Sequence, residues 1–550
     1  MAARAPVSPV DTRVCLHFLE AEQGTGAPPG MSDRIDIETP ERRHPRRRRK
    51  GFFIMKKSLI SIGLMAGMTG VGCAGLDDVE ADATTQDTQG LVTQVTGTSP
   101  ITFVTAAGNV TTPYDQSSTS VVAYTRDSTT GAFTAYPGTG AADGTLSVPN
   151  VPSGRIYLKL GPRYLVSTDR TFDLGSTEWG RNGSYVSQPT PVTVSATGLS
   201  PWHPADHLDL YSLNAGAFGF MGSAATGRPL TGATSFSALS FSYADMTHPK
   251  LLDSSLGDVF SLAQLRWRTT VNGVPYRAMH KVLDANVTLV PGQPTTINGT
   301  FTQPAATGTF AVDWRRSAFE ALRTQVNPNA VSAYNEILMS ARPAALGTAV
   351  ASISGPPFLL KLNPDALQTD ILTGAMTYNN PLPATWPKVA SATAGFTKSY
   401  ALGTATPYTM SVDIRIDQEA SAFTAEPVVP LIGPVQAPLV NTRGAFQNLT
   451  GVGFDASLRW SKPLVGTATN YVVNIFRLGT SNGATTATRV AMLHTDLQSV
   501  YLPPNVLQAG QTYFAEIQSW YQPGSNLATS PFKRALPRAR ASVLTGTFSP

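Results

Sequence analysis

Apolar residues along this chain gather in short β-branched and aromatic runs bounded by Gly, Pro, Asn and Ser. Val121-Val122-Ala123-Tyr124, Ile156 to Leu160 and Tyr471 to Phe476 are β-branched and aromatic runs of strand length. Met410, Val412, Ile414 and Ile416 alternate with polar residues between Tyr408 and Ile416, which is the period of a half-buried strand. One stretch departs from this pattern. Trp314, Ala318, Ala321, Leu322 and Val326 stand at helical spacing over Asp313 to Val326, and Asn327-Pro328 stops them. Asn329 to Ala341 follows as a second predicted helix. The expected fold class is mainly β: tandem β-sandwich domains with a short helical insertion around 313–341.

Residues 55–73, MKKSLISIGLMAGMTGVGC, differ in kind. Lys56 and Lys57 form a charged start, Ser58 to Gly72 is uncharged and mostly apolar, and small residues lead to Cys73. The segment resembles the signal of bacterial lipoproteins, in which a small residue precedes an invariant cysteine. Val71, Gly72 and Cys73 fit that pattern; Gly70 stands where the family usually has a leucine-like residue. The resemblance implies export, cleavage before Cys73 and lipidation of its thiol. The implied location is the cell envelope, at the outer membrane or cell surface rather than the inner membrane. An uncleaved anchor over Ser58 to Leu76 is the alternative, weakened by five glycines in that span (Gly63, Gly67, Gly70, Gly72 and Gly75).

Accepting that cut changes the charge argument. The whole chain carries a net charge of +5. Of its 41 Lys and Arg and 36 Asp and Glu, 12 and 7 lie in residues 1–57, leaving 29 of each in the remainder. The excess belongs to an Arg- and Pro-rich prefix, 1–54, which contains Arg46-Arg47-Arg48-Arg49-Lys50 and is read as untranslated, with the start at Met55, or as a disordered basic stretch. A neutral remainder removes nucleic acid from the expected partners. The chain has two cysteines, Cys15 and Cys73, so the cleaved chain would hold one and form no disulfide within itself and no Cys-ligated metal site. No cofactor is expected.

Residues 74–90 are polar and acidic, too poor in apolar surface to offset ordering entropy, and read as a flexible tether. Four segments follow. In 91–185, Asp143-Gly144-Thr145-Leu146-Ser147-Val148 leads through Asn150-Val151-Pro152-Ser153-Gly154 to the strand at Ile156, which reads as a hairpin. The stretch resembles the carboxypeptidase-regulatory, transthyretin-like β-sandwich family, mostly non-catalytic accessory modules. A β-sandwich over 186–304 and a β domain with two helices over 305–432 come next. In 433–550, Leu458-Arg459-Trp460-Ser461-Lys462-Pro463, Tyr471-x-Val473-x-Ile475 and Leu507 to Ile517 resemble three ordered features of a fibronectin type III module. The last of these implies a tyrosine corner at Tyr513.

Candidate chemistry is sparse. Gly479-Thr480-Ser481-Asn482-Gly483 matches a nucleophile-elbow pattern, but Asn482-Gly483 after a strand is a hairpin dipeptide. His203, Asp206 and His207 form the densest cluster of metal-ligand types; Pro204 between them argues for a loop, so no metal is assigned. Asp413, Arg415, Asp417 and Glu419 alternate and read as a solvated strand face. Tyr378 and Trp386 lie in the Pro-rich segment Tyr378 to Pro387 and are the candidate contact surface, since flat rings stack on sugar faces. The expectation is a non-enzymatic, membrane-anchored extracytoplasmic lipoprotein with a structural or adhesive role. Binding of envelope polysaccharide or another surface protein is the second reading, and a hydrolase or metal-dependent enzyme the third.

Overall fold

In a computed structural model, the residues described are 93–221, 225–343, 357–364 and 369–550. The signal segment, Cys73 and the tether lie outside the described residues. Among the described residues, no helix is long and apolar enough to cross a membrane.

The chain is mainly β. Sixteen strands join into one long sheet: β1 Val121–Arg126, β2 Phe133–Pro137, β3 Ile156–Leu160, β4 Arg163–Ser167, β5 His207–Ser212, β6 Ala217–Phe220, β7 Val259–Thr269, β8 Pro275–Asn286, β9 Val331–Ala341, β10 Leu360–Leu362, β11 Lys388–Tyr400, β12 Tyr408–Glu419, β13 Asn470–Ser481, β14 Ala484–Thr495, β15 Thr512–Tyr521 and β16 Arg538–Leu544. Their spatial order is β6-β5-β7-β8-β10-β9-β11-β12-β16-β15-β13-β14-β4-β3-β1-β2. Neighbours pair antiparallel, except that Met492–Thr495 of β14 runs parallel to Arg163–Val166 of β4. That ladder joins strands some 320 residues apart in the chain into one hydrogen-bonded sheet.

Smaller layers cover this sheet and bury its apolar positions in sandwich fashion. Strands Pro191–Thr197, Phe236–Ser242 and Thr295–Thr300 form a three-stranded sheet whose Val192, Val194 and Leu239 pack with Leu208, Leu210 and Phe260 of the long sheet. The strands around Gln436–Val440 and Ser457–Ser461 bring Val440, Leu458 and Trp460 onto Val473, Ile475 and Ile517. At the other end, Val95, Leu146 and Val148 pack on Val121, Ile156 and Leu165. The largest core lies between β8–β12 and a layer holding Phe310, Trp314, Phe319 and Phe423.

Two local expectations are corrected. The helix predicted from 313 is two short helices, α1 Arg316–Glu320 and α2 Arg323–Val326, whereas the helix predicted over 329–341 is strand β9. Its Glu, Leu and Met are good helix formers, but β11 pairs along its length and β10 pairs with Ile337–Met339 on the other edge, and Asn335, Ile337, Met339 and Ala341 alternate into the interior. The expected hairpin at Pro152-Ser153-Gly154 is instead a crossover between layers. Thr145–Val151 pairs with Thr93–Thr98 in the small sheet, and β3 pairs with β1 and β4 in the long one. A tight turn serves either connection, and only the packing of Val148 against Ile156 and Leu158 across a core selects the crossover.

Candidate functional site

Asp206 is buried, and its carboxylate is fully engaged. One oxygen accepts from the Trp267 N–H at 2.7 Å; the other accepts from Gln264 Nε2 at 2.9 Å and the His203 N–H at 3.2 Å. These bonds fasten the Pro-rich turn before β5 onto β7. His203 stacks on Trp267 with centroids 4.7 Å apart, and its Nδ1 accepts from the Ala205 N–H. His207 begins β5. The three residues serve the turn and the strand, and among the described residues no group of three or more His, Cys, Asp or Glu is arranged to hold a metal ion.

Tyr378 and Trp386 are both buried in the largest core, at 3% and 6% exposure. Tyr378 packs face-on to Gly308 in the paired strand, where the absence of a side chain leaves room for the ring. The contact surface read from these aromatics is therefore corrected to core. Ser481 lies at the end of β13, and Asn482 and Gly483, with φ of +49° and +75°, form the tight β13–β14 hairpin turn. It is not a strand-to-helix elbow.

The densest convergence of ionisable groups lies on one face of the long sheet, among residues whose pairing the sequence does not reveal. Register places Arg277, Lys361, Leu338, Ser391, Asp417 and Arg538 in one row across β8, β10, β9, β11, β12 and β16. A neighbouring row runs Glu336, Thr393, Arg415, Arg540 and Trp520. Asp413 and Asp417 are 3% and 2% exposed, which corrects the reading of this strand as solvated: β16 lies beside it and contributes arginines. Arg540 donates to both oxygens of Asp413, at 2.8 and 2.7 Å, a bidentate pair. Asp417 accepts from Arg415 at 2.8 Å, from Arg538 at 3.1 Å and from the Ser391 hydroxyl. Glu516 on β15 accepts from Asn474, Gln518 and Ser542 at 2.8 to 3.0 Å. The Trp520 ring lies 5.5 Å from the Arg538 guanidinium and 5.8 Å from that of Arg540.

Electrostatics agree with this geometry. Burial raises the Asp417 carboxyl, but the Arg415 and Arg538 guanidiniums and the Ser391 hydroxyl outweigh it and bring it down to about 2. Burial raises the Glu336 carboxyl. Asp209 on β5 is a different case: it is fully buried and neither oxygen has a hydrogen-bond partner among the described residues. Burial lifts it from 3.8 to about 6 despite Lys361 and Arg277 nearby. Such a group favours folding at low pH and loses that contribution as pH rises through about 6. Two units correspond to about 3 kcal/mol. Asp209→Asn is therefore expected to raise stability by up to about 3 kcal/mol at pH 8 and to give no such gain at pH 4. Urea midpoints at the two pH values test this, and an equal effect at both would refute it.

Two features of the C-terminal segment are also placed. Trp460 packs edge-on against Tyr471, with centroids 5.3 Å apart. The Tyr513 hydroxyl accepts from the Gln508 N–H at 2.8 Å, five residues upstream.

No family model matches this sequence, and no curated protein matches it. Among solved structures, it is similar to one described as the crystal structure of a tetra-tandem repeat in the extending region of a large adhesion protein, at 11% identity over 82% of this chain and 99% of that one, with a TM-score of 0.10. At that score the similarity carries no argument about fold or role.

Proposed function

We propose that this chain is a non-enzymatic, lipid-anchored protein of the cell envelope with a structural or adhesive role. The observation that carries the reading is the disposition of its charged chemistry. Asp206, Asp413, Asp417 and Glu516 are each saturated by protein donors that cross-tie strands distant in sequence. Carboxylates held in this way stiffen a scaffold and are poorly placed to move protons to a substrate. The export signal and Cys73 support the anchor. The corner at Tyr513 and the buried Trp460 support a fibronectin-like closing module, and the small sheet on β1, β3 and β4 supports a transthyretin-like opening one.

The anchor is tested by palmitate labelling of cells expressing the full chain. Wild type is expected to incorporate label and fractionate with membranes, whereas Cys73→Ser is expected to lose the label entirely. Unlabelled wild-type protein would reject lipidation. The role is tested by surface attachment of cells carrying or lacking the gene; equal attachment and equal envelope integrity in both would reject it.

A further inference from the structure

The charged face does not end in balance. At the β6 end of the sheet, Arg277 and Lys361 sit side by side in register. Arg277 spends its Nε on the Ala205 carbonyl. Neither cation forms an ion pair among the described residues, although Asp209, Asp206 and Glu336 lie close enough to influence their charge. Asp206 is occupied by its three N–H donors. Desolvation and the nearby Arg277, Lys361 and Arg228 lower the imidazole of His207.

An aromatic pair lies against these cations. Phe220, opposite Asp209 on the edge strand β6, is 41% exposed, and it stacks on buried Phe358 with centroids 5.9 Å apart. Lys361 Nζ is 4.6 Å from the centroid of each ring. A large, partly exposed apolar ring at a sheet edge, flanked by cations that form no ion pair among the described residues, is an unusual surface. Beneath it, Asp209 keeps two buried oxygens without a hydrogen-bond donor among the described residues.

We propose that this patch, built from Phe220, Arg277 and Lys361 over Asp209, binds an acidic polysaccharide, specifically a chain of carboxylated sugars. The chemistry matches group by group. A uronic-acid residue has an apolar ring face to lay on Phe220 and a carboxylate for the guanidinium and ammonium. The proposal stands independently of the lipid anchor and of a structural role.

The test is calorimetric titration of the full chain with oligogalacturonate. Wild type is expected to bind in the micromolar to millimolar range usual for single glycan patches, and Lys361→Gln with Arg277→Gln to weaken binding at least tenfold. Phe220→Ser, which changes a partly exposed side chain, is expected to weaken it by about threefold or more, with an unchanged melting temperature showing that the fold survives. Lys462→Ala, on an exposed loop, serves as the unaffected control. Dextran sulfate separates sugar recognition from general attraction to polyanions and is expected to bind more weakly. No binding by wild type, unchanged binding in the Lys361/Arg277 variant, or dextran sulfate binding as tightly as oligogalacturonate would each overturn the proposal.

Discussion

Asp413→Ala is expected to destabilise the protein by about 3–5 kcal/mol, the cost of stranding a buried cation. Arg540 directs Nε and one Nη at the two oxygens of Asp413, and both side chains are at most 10% exposed. Removing the carboxylate leaves the guanidinium without its only ion-pair partner among the described residues, in a site with little water to replace it. The informative comparison is the double variant Asp413→Leu with Arg540→Met. It removes both charges, leaves none stranded and fills the space with apolar atoms, so it is expected to lie closer to wild type than either single change. Urea denaturation of the three variants measures this. A double variant as unstable as the sum of the singles would show that the pair is not the source of the effect. The neighbouring Asp417 adds an acid limit. Its carboxyl is lowered to about 2, so its contribution is complete above the ordinary carboxylate range and is lost as pH falls through about 2.

Trp314→Ala is expected to cost about 3–5 kcal/mol, the range for emptying a buried aromatic site. Trp314 is fully buried and meets Phe319 of α1 edge-on, with centroids 6.4 Å apart and planes at 86°. Its backbone pairs with Ile371, and the Arg316 guanidinium lies 5.9 Å from its ring. The indole thus holds α1 against the largest core. Trp314→Phe keeps most of the packed area and is expected to retain more than half of the lost stability. Hydrogen exchange gives a second readout: amides of 316–326 are expected to lose protection in Trp314→Ala before those of β11 and β12. Uniform loss across both regions would mean that the ring does not act through the helices.

The strands at Val121, Ile156 and Tyr471 were legible as short β-branched and aromatic runs and the one at Tyr408 from its period of two, all local signals, and the structure places a strand at each. The charged face was not legible. Asp413-x-Arg415-x-Asp417 and Arg538-x-Arg540-x-Ser542 carry complementary charges at the same period, and that match was the available signal. Reading it requires knowing that β12 and β16 are neighbours, some 120 residues apart. Tyr378 and Trp386 failed for the opposite reason. The Pro- and Asn-rich stretch between them looks like a surface loop, yet the two rings turn inward against residues supplied by other segments.

By itself, then, the sequence determined the β class, the strands at Val121, Ile156, Tyr408 and Tyr471, the helical turn after Trp314, the hairpin at Asn482-Gly483 and the candidate lipid signal. All of these depend on backbone preferences and on periods that span a few residues. Tertiary structure decided which strands are neighbours, that 331–341 is a strand, that Pro152-Ser153-Gly154 crosses between sheets, and which charges meet. The physical reason is that strand pairing satisfies backbone groups between segments far apart in the chain. Whether an Asp is solvated or buried against an Arg is therefore set by a partner strand that its own neighbours in sequence do not specify.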